Sequence, residues 1–300
     1  MAQPRADRRP RRSRRATSDT GRSRLTAILG VVALFVIAAA ALALIAPQKK
    51  PVAQVTAVPD AWSAVAAIQT PAAPTPVFAS LRDVRLRLPV PAAAVTVLVF
   101  HQSSYRDTVP LSSLVASGSP ARAREAVKAA RSTLKAGGEA TVAATPEDAS
   151  EDSDGVWTGY ALQLWRSNSG GKQDTAIDCG ASAGTPVFSP VDGTVMQIRP
   201  YKLYKKYDDF EIHIKPDAWD DLDVIVLHVT DPAIAEGQRV VGGVTRIASV
   251  RNLASVVSGL QLRNYTLDGG NHTHVQVNRI SKPDETWVVG QDPPGFKRHN

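Results

Sequence analysis

The feature that most constrains the fold is an unbroken apolar run of 22 residues from Leu25 to Ala46. A membrane-spanning helix needs about 20 consecutive apolar residues, so this run is long enough to cross a bilayer. Nine arginines and two aspartates precede it in residues 1–24, whereas two lysines follow it. Because positive charge is retained on the cytoplasmic side, the sequence predicts a cytoplasmic tail over 1–24, a transmembrane helix over 25–46 and an extracytoplasmic C-terminal part.

A cleaved signal peptide is the competing interpretation of the same run. The apolar region of a signal peptide usually has about 7–15 residues, which is shorter than this one. A small-residue cleavage pattern exists at Ala41 and Ala43, but it lies inside the run, and Pro47 would follow a cut after Ala46. The sequence therefore favours a single-pass anchor in the cell membrane.

The net charge of +7 is confined to the N-terminal tail, because the remaining residues carry 26 basic and 26 acidic side chains. A nucleic-acid-binding domain should carry its own basic patch, so nucleic acid is not expected as the main partner. The single cysteine, Cys179, excludes an intrachain disulfide and C-x-x-C metal sites. Its position beside Asp178 predicts a small thiol buried on the opposite face of a strand.

The chain after the apolar run is predicted to divide into a Pro/Ala-rich linker over residues 47–80, a small accessory α+β segment over 81–137, an acidic linker over 138–155 and a dense domain over 156–290. The accessory segment contains two strand-like runs, Asp83 to Leu88 and Val95 to Phe100, and one helix over 119–137. Ser119 suits the N-cap of this helix, and Gly137 suits its end.

The dense domain consists of short strand-like runs that alternate with Gly, Pro and Asp turns, and it lacks long helical periodicity. Such a pattern is typical of all-β domains. The predicted fold is therefore mainly β: an antiparallel β-sandwich or barrel-like outer domain, with an N-terminal transmembrane helix and the small accessory segment.

The candidate chemistry begins with His272 and His274, which lie two residues apart at the head of a predicted strand. Residues i and i+2 of a strand point to the same face, so the two imidazoles are neighbours. Near carboxylates of another strand they would form a metal or acid–base site. An H-x-H pair alone is weak evidence, because such pairs are common on protein surfaces.

Further segments add to this pair. The pattern comprises residues 174–178 (DTAID), 184–195 (GTPVFSPVDGTV), 223–229 (DVIVLHV), 236–243 (EGQRVVGG) and 271–277 (NHTHVQV). In this order they resemble the lysostaphin-type family of zinc peptidoglycan endopeptidases, and the resemblance covers roughly residues 156–280.

The resemblance implies roles for particular residues. Asp178 and His274 correspond to zinc ligands of the family, and His228 and His272 correspond to histidines that serve catalysis beside the metal. The implied reaction is metal-assisted hydrolysis, in which zinc polarises the scissile carbonyl and acidifies a bound water. The free histidines position that water, move its proton and stabilise the oxyanion.

One position departs from the family pattern. The first family ligand is a histidine four residues before the aspartate, and here that position is Asp174. Asp174 is therefore the third predicted metal ligand, but two carboxylates and one imidazole would cancel the charge of zinc and acidify its water less. Harder metals would also become competitive. Alternatively, Asp174 lies elsewhere in space and another group completes the site.

The functional hypothesis is a membrane-anchored metallopeptidase-like protein that hydrolyses peptidoglycan cross-link peptides. The alternative is a catalytically inactive envelope module that binds cell wall or regulates a partner hydrolase, and a third reading is a polymer-binding protein with an incidental H-x-H. His101 is interpreted as structural, and His213 as structural or solvated. Tyr201, Tyr204 and Tyr207 are interpreted as part of a surface loop that could also line a peptide or glycan groove.

Overall fold

β-Branched and aliphatic residues alternate with polar ones over most of the chain after residue 73, which favours strands packed on one face. The computed structural model describes residues 73–103, 107–140, 142, 150–164 and 174–296. The chain divides into two units, Met1–Val58 and Pro59–Asn300, and the first lies outside the described residues together with the predicted tail and anchor. Within the described ranges, no helix is long and apolar enough to cross a membrane.

The described ranges contain fourteen strands and one α-helix, which confirms the mainly β prediction. The elements are β1 Val77–Leu81, β2 Val84–Arg87, β3 Val97–His101, β4 Ser112–Ser113, β5 Ala116–Ser117, α1 Pro120–Lys135, β6 Tyr160–Gln163, β7 Ala176–Gly180, β8 Pro186–Phe188, β9 Gly193–Leu203, β10 Tyr207–Pro216, β11 Leu222–Thr230, β12 Arg239–Val240, β13 Arg246–Val250 and β14 His272–Arg279. Two short 3₁₀ helices cover Ala92–Ala94 and Gln261–Asn264.

Eleven of these described strands form one sheet in the order β12-β9-β10-β11-β14-β7-β3-β6-β5, and β13 connects β11 to β8. The pairing is antiparallel except where β6 pairs in parallel with β3 and with β5. A smaller sheet has the order β2-β1-β4. The sandwich or barrel form of the fold stays a prediction.

Strands β3, β7 and β14 are neighbours in the large sheet, and their side-chain alternation separates a core face from a polar face. Leu98, Ile177, Cys179 and Val275 are fully buried in the main hydrophobic core. The predicted burial of the Cys179 thiol is thus confirmed. The opposite face carries Asp178 of β7 and His272 and His274 of β14, and there Val97 and Val99 of β3 belong to a second hydrophobic cluster. A site built on this face therefore rests on a packed core.

Two predicted boundaries differ from the structure. The linker predicted over 47–80 ends earlier, because β1 begins at Val77 and pairs with β2 and β4. The segment 81–137, predicted as a small accessory unit, contributes β3 and β5 to the large sheet. Those pairings join residues distant in sequence, and local periodicity does not contain them.

The predicted helix over 119–137 is α1, Pro120–Lys135. The Ser119 side chain accepts a hydrogen bond from the Arg122 backbone N–H, as an N-cap residue does. Only Val127 and Ala130 of this helix are buried, so α1 lies on the surface of the domain.

Candidate metal centre and active-site cleft

Three side chains from the three neighbouring strands converge on one point. His274 on β14 lies directly opposite Asp178 on β7, and its Nδ1 is 2.8 Å from Asp178 Oδ1. His101 at the end of β3 places its Nε2 3.1 Å from the same oxygen. Ligand atoms of all three residues lie within 4.8 Å of one another, and together they could hold a metal ion.

The donor set fits a catalytic zinc ion, for which two imidazoles and one carboxylate leave a fourth position open. The far nitrogen of each ring faces a carbonyl oxygen: His101 Nδ1 is 2.9 Å from Gln102 O, and His274 Nε2 is 3.1 Å from Gln276 Oε1. When these nitrogens donate, the lone pairs of His101 Nε2 and His274 Nδ1 both point towards Asp178. This outer hydrogen bonding fixes the tautomer that a metal ligand requires.

Two further histidines adjoin this group. His272 donates from Nδ1 to the carbonyl of Gly270 at 2.7 Å, so its Nε2 faces Asp178 Oδ1 at 3.8 Å. The ring of His228 lies 5.1 Å from the ring of His272 and 5.9 Å from that of His274, measured between centroids. Two imidazoles therefore border the candidate metal centre without belonging to its ligand group.

A β-bulge directs the His228 side chain. Phe210 pairs with Val229 and Glu211 pairs with Leu227, so His228 is the extra residue of β11. Its φ of 62° lies in the left-handed region that side chains other than glycine rarely adopt. Bulges beside active sites commonly redirect a side chain in this way, at a local cost in strain.

The buried carboxylate of Asp209 holds the inner nitrogen of His228. His228 Nδ1 lies 2.7 Å from Asp209 Oδ2, and the Tyr201 hydroxyl donates to the same oxygen at 2.8 Å. Arg251 Nη1 is 3.6 Å away and partly balances the carboxylate charge. His228 consequently donates from Nδ1 and keeps Nε2 available at the cleft.

Burial and mutual charge set the protonation of the centre. Burial would raise the pKa of Asp178, but the adjacent His101 and His272 hold it well below its ordinary value. Burial lowers the pKa of His272 to about 4 and also lowers the pKa of His274. These shifts favour an ionised Asp178 beside neutral His272 and His274 near neutral pH, which is the state in which such groups bind metal ions.

The centre opens into a cleft of about 360 Å³. Its walls differ in chemistry. Its lining includes Tyr201 and Tyr204 of the β9–β10 hairpin and the segment Leu260, Gln261 and Leu262. The tyrosine cluster that the sequence suggested as a surface loop thus contributes two rings to the cleft, and Tyr204 is 70% exposed.

Four of the five predicted site residues, namely His228, His272, Asp178 and His274, lie together in the cleft. Asp174 precedes β7, and its carboxylate accepts a hydrogen bond from Gln163 Nε2 at 3.0 Å. The group that could hold a metal contains His101 and does not contain Asp174.

Sequence reasoning missed His101. Residue 101 lies opposite Ala176 in the β3–β7 pair, so its imidazole enters the site from a neighbouring strand. The signal in the sequence is slight: an apolar strand, VLVFH, that ends in a histidine.

His213 serves a separate, structural arrangement. It is fully buried, with Nδ1 2.8 Å from Asp223 Oδ2 and Nε2 2.8 Å from Glu211 Oε1. Arg199 also pairs with Glu211. This agrees with the structural interpretation of His213 and excludes the solvated one.

A scan against protein-family models finds no match, and a search of curated proteins finds none either. Solved structures with local similarity include the catalytic domain of a mutant of the prophage-encoded M23 protein EnpA from Enterococcus faecalis, at 20% identity and a TM-score of 0.28, covering 41% of this chain and 80% of that one. LytU gives 22% identity and a TM-score of 0.28, covering 43% and 75% of the two chains. A zinc-containing peptidase from Vibrio cholerae is 20% identical with a TM-score of 0.27, and the match covers 41% of this chain and 32% of that one. TM-scores this low do not establish a shared activity, so the function must be argued from the side chains of the cleft.

Proposed function

We propose that this chain is a membrane-anchored, extracytoplasmic zinc metallopeptidase that hydrolyses the cross-link peptides of peptidoglycan. The observation that carries the proposal is the convergence of His101, Asp178 and His274 on one point beside two further histidines. The nearest nitrogens of His101, His272 and His274 all face one carboxylate oxygen, Asp178 Oδ1, at 3.1, 3.8 and 2.8 Å.

His101, Asp178 and His274 would hold the ion. A zinc ion bound there supplies a Lewis acid that polarises a peptide carbonyl and lowers the pKa of a water molecule. The strand pairing keeps the carboxylate and His274 in register, and the carbonyl of Gln102 and the amide of Gln276 keep the rings oriented.

His272 and His228 would handle the protons. Each donates from Nδ1 to a fixed acceptor, Gly270 O for His272 and Asp209 for His228, so each presents Nε2 to the cleft. One such nitrogen can accept the proton of the attacking water, and the same ring, once protonated, can donate that proton to the leaving amine. The Asp209 carboxylate holds the His228 ring in this orientation.

A wall peptide as substrate, and a position outside the membrane, are supported by sequence. The order of the motifs resembles the lysostaphin-type family, and the apolar run over residues 25–46 is long enough to serve as the membrane anchor. A partner wall hydrolase and cell wall remain the partners of the alternative, inactive module. The reason for that alternative was an aspartate, Asp174, at the position of a histidine ligand. This reason no longer applies, because His101 supplies a second imidazole.

The test is zinc content and peptide cleavage measured on the same preparations of the full chain. Changing His101, Asp178 or His274 to alanine should weaken zinc binding and abolish cleavage of purified peptidoglycan. Cleavage is followed by mass spectrometry of the released peptides. Changing His228 or His272 to alanine should abolish cleavage while about one zinc remains bound. Cleavage that survives both changes would refute the proposal, and zinc binding without any cleavage by the unaltered protein would favour the inactive module.

A further inference from the structure

The surface helix α1 carries a net positive charge, unlike the rest of residues 25–300. Helix α1 carries five basic residues and one acidic residue, whereas the rest of residues 25–300 carries 21 basic and 25 acidic residues. The net charge of α1 is therefore opposite in sign to that of the chain around it. A local positive surface on an otherwise acidic domain is the electrostatic signature of a polyanion-binding site.

Four of these cations form one stripe. Arg124, Lys128, Arg131 and Lys135 follow the i, i+4, i+7, i+11 spacing of a single helix face. The stripe extends over roughly 16 Å at 1.5 Å per residue. All four residues line one groove of about 310 Å³, which Asn264 borders on the opposite side.

The two arginines of the stripe are fixed in place. Arg124 donates to the Tyr265 hydroxyl at 2.7 Å and lies over the ring of that tyrosine. Arg131 donates to the backbone carbonyls of Arg263 and Thr266. Carbonyl and hydroxyl partners leave the guanidinium charges uncompensated, and holding the side chains in place beforehand reduces the entropy lost on binding.

The lysines complete the groove. Within the described residues, Lys128 has one acidic contact, Glu125 at 3.7 Å, and both side chains are more than 70% exposed, so this pair provides little neutralisation. The groove therefore combines two guanidinium groups, each held by hydrogen bonds, with two exposed ammonium groups on the same face of α1.

We propose that this groove, lined by Arg124, Lys128, Arg131, Lys135 and Asn264, binds a linear soluble polyanion that carries phosphate groups at regular intervals. A row of cations on one helix matches a row of anions on an extended polymer. A lipid surface fits less well, because a membrane-binding helix needs an apolar face to insert, and Val127 and Ala130 of α1 are already buried against the domain.

The groove is next to the cleft, and the two share a wall. The 3₁₀ helix Gln261–Asn264 presents Gln261 and Leu262 to the cleft and Asn264 to the groove. A polymer held along α1 would thus keep the cleft close to whatever the polymer is attached to, which raises the effective concentration of a substrate there. Binding itself does not depend on whether the cleft is catalytic.

The test uses the full chain with the nine arginines of residues 1–24 changed to glutamine, so that the tail does not bind the probe, and this protein is the unaltered reference for α1. Binding of end-labelled inorganic polyphosphate is followed by fluorescence anisotropy. The double variant Lys128→Glu, Lys135→Glu should bind at least about tenfold more weakly than the unaltered protein. By analogy with single-stranded nucleic acids, four phosphate contacts give a slope of about −3 for log affinity against log salt, and the variant should fall to about half of that. The matched control is Lys202→Glu, Lys282→Glu, which makes the same change in net charge at two other exposed lysines.

The α1 variant and the control variant together decide whether the groove binds the polymer. A loss confined to the α1 variant supports the groove, and an equal loss in the control variant overturns it in favour of a bulk charge effect. Absence of polyphosphate binding by the unaltered protein also overturns it, as does preferential binding to vesicles that contain anionic phospholipid. Both variants change exposed side chains, so near-identical thermal unfolding is expected to accompany either result.

Discussion

Replacing His101 by alanine should weaken zinc binding strongly, whereas replacing Asp174 by alanine should leave it unchanged. Three protein ligands are proposed to hold the ion, and in zinc sites with four ligands binding contributes about 10–16 kcal/mol in total, or roughly 3 kcal/mol per ligand. Since about 1.4 kcal/mol corresponds to a factor of ten, His101→Ala should weaken zinc binding about 100-fold. Asp178 and His274 should stay in register, because β7 and β14 pair over five residues without β3.

Asp174→Ala removes the hydrogen bond that the Asp174 carboxylate accepts from Gln163 Nε2 at 3.0 Å. A single hydrogen bond of this kind contributes about 1 kcal/mol to stability, so a slightly lower melting temperature is expected with unchanged zinc affinity. Zinc affinity is measured by competition with a chromophoric chelator, and near-UV circular dichroism checks that both variants are folded. Retention of zinc by His101→Ala together with its loss from Asp174→Ala would show that the ligand set argued from the structure is wrong.

Three other predictions concern different parts of the domain. Asp209→Asn removes the charge that orients His228 and should lower kcat by roughly 10- to 100-fold with unchanged zinc content, as measured by steady-state kinetics and metal analysis. A fragment of residues 150–300 lacks β3 and its histidine, so it should neither bind zinc nor unfold cooperatively in a thermal melt. The Cys179 thiol, whose pKa is raised by burial, should react with a thiol reagent only after denaturation, and rapid labelling of the native protein would contradict its position in the core.

The sequence was sufficient for the elements whose signal is local. The period-2 pattern predicted the strand that carries His272 and His274, and the structure has both rings on the face that meets Asp178. The helix with its Ser119 cap was predicted within two residues at its C-terminal end. In each case the periodicity and the capping residue are contained within a few neighbouring positions.

The parts that could not be predicted depend on pairing between distant segments. Val99 lies opposite Asp178 because β3 pairs with β7. Neither strand contains a local sequence feature that predicts which strand it pairs with. The same holds for Asp209, whose importance arises only because β10 and β11 pair with a bulge at His228. The motif spacing predicted Asp174 as a metal ligand because it lies four residues before Asp178. In the structure, the residue that joins Asp178 and His274 is His101, which lies on the neighbouring strand β3.

The three candidate ligands lie on three adjacent strands, and 96 residues separate Asp178 from His274 along the chain. An ion held between them would act as a cross-link that closes very long loops, and the entropy of the unfolded chain would be reduced only while the ion stays bound. Local opening of the sheet should then differ between strands. Amide hydrogens of β3, β7 and β14 would exchange slowly, and those of β12 and β9 at the far edge of the sheet would exchange first. Removal of the ion would thereby shorten the time for which the protein stays folded.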